Sequence, residues 1–222
     1  MKTAILIDGG FYRKRAQKCL GEKTPAERAD ELYRYCWRHL IDKRSGERVQ
    51  CELYRIFYYD CPPIAKQIYH PLLKKTIDLG RSDKKVWAEQ FFRELARKRK
   101  LALRMGELND AATYYNLKPE VTKKILDNKI GIADLTEKDL KLSLQQKGVD
   151  MRIGLDIASM AYKQQVERII LIAGDSDFVP AAKLARREGI DFILDPLGHH
   201  IRDSLSLHID GLQIKDDHFR II

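Results

Sequence analysis

Short apolar runs that end in polar turns alternate along the chain with stretches of helical periodicity. The apolar runs predict buried strands over residues 2–7, 51–59, 101–106, 168–173 and 190–194. Apolar residues at helical spacing predict helices over residues 12–19, 26–40, 64–100, 151–163 and 180–188, with 86–100 the clearest part of the third. Strands that alternate with helices favour an α/β fold, with a mostly parallel sheet covered on both faces.

Residues 107–146 interrupt this alternation because they show no clear strand pattern and carry mixed charge. We expect a helical or irregular insertion there, either a lid over a site or an element that contacts substrate. The chain has 222 residues, which is enough for one α/β domain with a sizeable core. We therefore expect a single domain spanning residues 1–222.

Composition restricts where such a protein would work. The chain is 44% hydrophobic, but no stretch approaches the roughly 20 apolar residues that span a bilayer. The N-terminal apolar run ends in an acid and has no small-residue cleavage site, which is unlike a signal peptide. The four cysteines are widely spaced and form no CxxC pair, which predicts reduced thiols and disfavours zinc. These features predict a cytoplasmic protein.

The chain is basic, with 41 Lys and Arg against 32 Asp and Glu, for a formal charge of +9. Positive potential attracts polyanions, so nucleic acid is the leading partner class. A solvated basic surface without such a partner is the alternative. The bases cluster at residues 13–15 and 93–100, whereas a few acids lie inside apolar runs.

Acids follow two of the clearest predicted strands. Asp8 comes directly after the first strand, and Asp175 and Asp177 follow the strand at 168–173. Ligands bind outside the carboxyl ends of strands in an open parallel sheet, so these carboxylates would converge if the strands are neighbours. Clustered carboxylates repel one another, and a hard divalent cation such as Mg²⁺ or Mn²⁺ relieves that repulsion. The alternative is that each acid only caps a helix or starts a turn.

Two further acids belong to the predicted helix at 151–163. Asp150 stands where an N-cap would, and Asp156 lies between Leu155 and Ile157 in an apolar stretch. Six residues correspond to about 600° of helical rotation, so the two acids lie roughly 120° apart. One can therefore ligate a metal while the other caps the helix, pairs with a base or acts through water.

Other residues could contact substrate. Ser176, Arg13, Lys14 and Arg104 are candidate substrate-binding residues. A hydroxyl that stabilises its own loop is the alternative for Ser176. His199 and His200 could contact phosphate, but without further His or Cys at metal spacing we interpret them as a loop pair.

With these residues assembled, the sequence resembles the NYN domain family, the LabA-like branch of the PIN-like nucleases. The resemblance rests on residues 5–11 (ILIDGGF), 58–63 (YYDCPP), 147–161 (KGVDMRIGLDIASMA), 171–189 (LIAGDSDFVPAAKLARREG) and 205–212 (LSLHIDGL). These motifs extend from the first residues nearly to the last. Many relatives have asparagine soon after the first aspartate, where this chain has Gly9, Gly10 and Phe11.

The resemblance implies a three-layer α/β/α sandwich, an acidic Mg²⁺ or Mn²⁺ site, and hydrolysis of phosphodiesters in RNA more often than DNA. The residues that match the family's catalytic and metal-binding acids are Asp8, Asp150, Asp156, Asp175 and Asp177. We therefore predict a metal-dependent nuclease, specifically a ribonuclease. Two alternatives are a nucleic-acid-binding or regulatory protein that does not cut, and a phosphoesterase acting on a small molecule. The sequence leaves self-association as a homo-oligomer open.

Overall fold

A central sheet of parallel strands organises the part of the chain described by the computed structural model, which comprises residues 1–44, 47–109, 113–144 and 146–220. The described strands are β1 (Lys2–Asp8), β2 (Ile41–Arg44), β3 (Glu47–Gln50), β4 (Glu52–Asp60), β5 (Gln67–His70), β6 (Lys75–Asp78), β7 (Leu101–Met105), β8 (Glu107–Leu108), β9 (Tyr114–Leu117), β10 (Leu140–Ser143), β11 (Gln146–Lys147), β12 (Arg168–Ile172), β13 (Asp191–Asp195) and β14 (Gly211–Leu212). The described α-helices are α1 (Gly9–Leu20), α2 (Pro25–His39), α3 (Asp83–Ala96), α4 (Pro119–Leu126), α5 (Val149–Tyr162), α6 (Val179–Arg187) and α7 (Asp203–Ser206).

The central sheet has the strand order β14-β13-β12-β1-β4-β7, and each neighbouring pair is parallel. Strand β1 therefore lies between β12 and β4, which brings the carboxyl ends of these three strands to one edge. The five strands predicted from apolar runs are present in this sheet. The short edge strand β14 was not predicted, because two residues give no periodic signal.

Residues of β1 alternate between two hydrophobic cores, as expected from the two-residue period of a strand. Ile5 and Ile7 pack in the core that α1, α2 and α3 cover, whereas Ala4 and Leu6 pack in the core under α5 and α6. All four side chains are fully buried. Helices thus cover both faces of the sheet, and the predicted α/β/α sandwich is confirmed.

The single helix predicted over residues 64–100 was wrong in its first half. Strands β5 and β6 form an antiparallel hairpin there, and α3 begins only at Asp83, after the N-cap Ser82. Alternating burial in β5, with Ile68 buried and Tyr69 exposed, is the strand signal that the helical interpretation missed. The antiparallel pair of β2 and β3 was also not predicted.

We call residues 107–146 the arm. Within the arm, residues 110–112 and 145 lie outside the described residues. Strand β8 pairs with β11, and further along β9 pairs with β10, so the chain leaves and returns through two antiparallel pairs. Helix α4 lies between them. The helical expectation therefore holds for α4, but the expected absence of strands was wrong.

None of the described helices combines the length and apolar character needed to traverse a bilayer.

Candidate functional site

Asp8 lies at the point where β1 meets α1. Its carboxylate caps the helix, since the Phe11 backbone N–H donates to Oδ1 over 3.0 Å. Burial is the largest influence on this group and raises its pKa from 3.8 to about 6, opposed by the Phe11 hydrogen bond. The negative charges of Asp150 and Asp60 raise it further. Asp8 is therefore close enough to both acids for their charges to shift its pKa.

Asp60 ends β4, the strand next to β1, and is fully buried. Arg13 donates from Nη2 to Oδ1 over 2.9 Å, and the Tyr58 hydroxyl donates to Oδ2 over 3.1 Å. The Cys61 backbone N–H also donates to Oδ1, over 2.8 Å. Three hydrogen-bond donors, one of which is the positively charged Arg13, thus satisfy this carboxylate. A carboxylate must be compensated in this way to be buried.

Asp150 lies in the first turn of α5, and its side chain is exposed at the sheet edge. The N-cap is Gly148, not Asp150 as predicted, because Gly148 adopts a positive φ of 78° and Val149 begins the helix in the core. Partial desolvation of the carboxylate by the surrounding protein raises the pKa of Asp150, and the charges of Asp175 and Asp177 raise it further. The acids at 8, 150 and 175–177 are thus electrostatically coupled.

Asp175, Ser176 and Asp177 form the loop that follows β12. Asp175 accepts from the Asp177 backbone N–H over 3.2 Å and so begins a short 3₁₀ turn, which the buried Phe178 anchors. Both acids are exposed. The Ser176 hydroxyl accepts from Arg202 over 3.4 Å, which gives it a loop-stabilising contact.

Asp156 is bound elsewhere on α5. Arg104 donates to both of its oxygens, over 2.8 and 2.6 Å, and the Tyr59 hydroxyl donates over 2.8 Å. Its divergence from Asp150 agrees with the six-residue spacing between them. The structure therefore places Asp156 and Arg104 together as an ion pair, apart from the cleft that Asp8 and Asp150 line.

An open cleft of about 640 Å³ lies at the carboxyl edge of the sheet. Its lining comprises Asp8, Gly10, Phe11, Lys14, Gly148, Val149, Asp150, Gly174, Asp175, Ser176, His199, His200 and Arg202. Three acids thus share one cleft with Lys14 and the basic residues that follow β13. Of the predicted site residues, Asp156, Asp177, Arg13 and Arg104 are outside this lining.

Close packing shapes the floor of the cleft. A Cβ added at Gly174 would lie 2.5 Å from Phe11 Cε2, so only glycine fits there with the ring in place. The Phe11 ring also lies edge-on to His199, with 6.1 Å between ring centroids. An aromatic ring therefore occupies the floor between the first strand and the loop after β12.

The loop that carries His199 and His200 is held by buried polar contacts. Asp195, fully buried at the end of β13, accepts from Tyr35, from His39 Nε2 over 2.8 Å and from the Leu197 backbone N–H over 2.8 Å. Arg15 donates twice to the Leu197 carbonyl, over 3.1 and 2.8 Å. Helices α1 and α2 thereby fix the loop that presents His199 and His200 to the cleft.

The donor set suits a hard cation, although the described residues form no preformed cage. Among the described residues, no group of three or more His, Cys, Asp or Glu side chains is close enough to hold a metal ion. Carboxylate oxygens in an open cleft match Mg²⁺, which keeps several waters and often binds through one or two carboxylates. Desolvation chiefly, and repulsion between neighbouring carboxylates in addition, raise the pKa values of Asp8 and Asp150, and a bound cation would offset both effects.

Sequence reasoning passed over several residues that the structure brings to the site. Asp60 follows a predicted strand just as Asp8 does, so the strand-end argument could have selected it. His199 and His200 were interpreted as a plain loop pair, but both line the cleft. Arg202 belonged to no motif, and Phe11 was noted only as part of the ILIDGGF motif at residues 5–11.

Comparison with known proteins identifies the family. The sequence profile of the NYN domain family matches residues 65–201, which is more than half of the chain and includes the acids at 150–177 but not Asp8 or Asp60. No curated protein matches the chain. One similar solved structure is that of a protein of unknown function from Vibrio parahaemolyticus, with 16% identity, a TM-score of 0.49, and coverage of 98% of this chain and 94% of that chain. The chain belongs to the NYN domain family, within the PIN-like superfamily.

Proposed function

We propose that this protein is a ribonuclease that depends on Mg²⁺ or Mn²⁺ and hydrolyses phosphodiester bonds in the cleft at the carboxyl edge of the sheet. Membership of the NYN family indicates a nuclease-type hydrolase. The observation that carries the proposal is one cleft with Asp8, Asp150 and Asp175 in its lining together with Lys14, His199 and Arg202. An acidic centre with basic neighbours is the charge distribution that a metal-assisted reaction on a phosphodiester needs.

The three acids would hold the cation in this proposal, with Asp177 acting from the adjoining turn. When bound, Mg²⁺ or Mn²⁺ supplies an activated water and neutralises charge on the phosphate. Lys14 has no ion-pair partner among the described residues and is exposed, so it is available to a phosphate. Arg202 and the two histidines would bind neighbouring phosphates and orient the strand.

The choice of RNA as substrate rests on the family resemblance and on the charge of +9, which favours a polymer over a small phosphate ester. We further propose that the chain acts as one NYN domain, in which the arm at 107–146 contacts the nucleic acid. The base of this arm supports that role, because Lys147 pairs with Glu107 three residues before Asp150. A movement of the arm would therefore displace residues next to the cleft.

The proposal is tested by cleavage of labelled RNA in Mn²⁺, comparing wild type with Asp8→Asn, Asp150→Asn and Asp175→Asn. We expect each variant to cut about 100-fold more slowly or worse, since each loses a carboxylate of the reaction centre. Glu167→Gln, at an exposed acid that precedes β12 at the opposite, amino edge of the sheet, is the matched control and should cut at the wild-type rate. Wild-type rates for both Asp8→Asn and Asp175→Asn would disprove the assignment.

Nucleic-acid binding without cleavage is the second candidate function. It is favoured by one observation, that the described residues hold no preformed group of metal-binding side chains. Calorimetric titration with Mn²⁺ separates the two functions. The nuclease should take up Mn²⁺ in a manner that Asp8→Asn weakens, whereas a protein that only binds should show no such difference.

A further inference from the structure

A second cavity lies along α1, beyond the acidic cleft. It has a volume of about 460 Å³, and its lining includes Arg13, Gln17, Lys23, Arg28, Lys84 and Trp87. None of these residues lines the first cleft. The two cavities share α1 as a common wall, because Lys14 contributes to the first and its neighbour Arg13 to the second.

The cavity contains one large aromatic surface. Trp87 stacks on Phe91 with 5.1 Å between ring centroids and an interplanar angle of 19°, and its indole N–H donates to the Lys23 carbonyl over 2.9 Å. These contacts fix the plane of the indole while leaving it only half-buried. A fixed and partly exposed indole is suited to stacking on a base, and stacking of this kind accepts any base.

Cations lie around this aromatic surface. Lys84 is exposed and has no ion-pair partner among the described residues, while Lys23 and Arg28 are both paired with Glu31. Arg13 pairs with Asp60 through Nη2, and its buried Nε has no hydrogen-bond partner in the described structure. Of the four cationic side chains in the lining, Lys84 is therefore the one that no acid among the described residues pairs with, and it is the group available to an anion.

We propose that this cavity is a subsite for a nucleotide a few positions along the strand from the scissile phosphate, with the base on Trp87 and the phosphate near Lys84. The inference rests on the proposed function, since it takes the strand in the acidic cleft to continue along α1. From Phe11 to Gln17 the helix advances about 9 Å, at about 1.5 Å per residue. A stacked strand rises about 3.4 Å per nucleotide, so the nucleotide at Trp87 lies about two to three positions from the reaction centre.

The test measures binding at Trp87 directly. The chain has two tryptophans, so Trp37→Phe leaves Trp87 as the sole indole emitter, and adding Asp8→Asn is meant to prevent cleavage during the titration. We expect an octauridylate to quench Trp87 fluorescence at concentrations where uridine monophosphate does not. Lys84→Glu should weaken oligonucleotide binding by about tenfold and reduce the slope of log affinity against log salt by about 1. Lys163→Glu, an equal charge change at an exposed residue beyond α5, should change neither by that amount.

Absence of quenching by the octamer, or equal losses for Lys84→Glu and Lys163→Glu, would overturn the subsite. Equal quenching by uridine monophosphate would also overturn it, because the cavity would then bind free nucleotides. These readouts do not depend on catalysis. If Asp8→Asn and Asp175→Asn both cut RNA as fast as wild type while the octamer still quenches Trp87, the proposed nuclease site fails and the nucleotide subsite stands.

Discussion

Arg13 forms an ion pair with the buried carboxylate of Asp60, with 2.9 Å between Nη2 and Oδ1. Asp8 ends the neighbouring strand in the equivalent place and receives backbone hydrogen bonds but no cation within the described structure. The two strand-end acids therefore differ in their charge balance. Asp60 is compensated by the fold itself, whereas the charge of Asp8 is left for something that enters the cleft.

Asp8→Asn is expected to stabilise the protein in metal-free buffer at neutral pH. The carboxyl group has a pKa of about 6 in the folded state against 3.8 as its ordinary value, so ionisation opposes folding as pH rises from about 4 to 6 and fully above that. Asparagine can still cap α1. The variant should gain on the order of 1–3 kcal/mol at pH 7 and little at pH 4. Urea unfolding at both pH values measures this difference, and an equal gain at both would contradict it.

Removing one partner of the Arg13–Asp60 pair should destabilise the protein. Asp60→Asn leaves the guanidinium uncompensated and Arg13→Gln leaves a fully buried carboxylate, at a cost of about 3 kcal/mol each. The double variant should lose less than the sum, because neither charge remains. Urea unfolding provides all three values. Asp127→Asn breaks an exposed pair and should cost under about 1 kcal/mol, and additive losses in the double variant would mean that the pair is not coupled.

Substitutions of Asp150 and Asp156 should differ in their effects on Mn²⁺ binding and on the free energy of unfolding. Asp156→Asn weakens a bidentate contact to Arg104 and should lower the free energy of unfolding by about 1–2 kcal/mol, with Mn²⁺ binding retained. Asp150→Asn should leave the free energy of unfolding unchanged or slightly higher, because the raised pKa of Asp150 marks an unfavourable charge, and should weaken Mn²⁺ binding. Calorimetry with Mn²⁺ and urea unfolding test both variants. The reverse pattern would move the metal site to Asp156.

Gly174→Ala should disturb the floor of the cleft, since the added methyl group would lie 2.5 Å from the Phe11 ring. We expect a loss of about 1–3 kcal/mol in the free energy of unfolding, most of which should disappear when Phe11→Ala is the background. Gly154→Ala is the control, because nothing lies within 4 Å of the added Cβ and α5 should gain up to about 1 kcal/mol. An equal loss for Gly174→Ala in both backgrounds would exclude the ring as the cause.

Strand periodicity predicted most of the sheet because its central strands are buried on both faces and are nearly all apolar. The strand-end rule also brought Asp8 and Asp175 to the same cleft without coordinates. What a local pattern cannot report is which acids the fold neutralises. Arg104 lies 52 residues from Asp156, and Arg13 lies 47 residues from Asp60, so neither pairing leaves a mark in local sequence. Short hairpins such as β5–β6 were missed because four residues can satisfy either period.

The contact between Gly198 and Phe219 gives the cleft a dependence on residues far from its acids. Gly198 has a φ of 70°, and a Cβ there would lie 1.5 Å from the Phe219 carbonyl oxygen, while the Phe219 ring is buried in the core. The segment around 219 therefore packs directly behind the loop that presents His199 and His200. A substitution that displaces Phe219 is therefore expected to shift the loop of His199 and His200 while the acids at 8, 150 and 175 keep their positions.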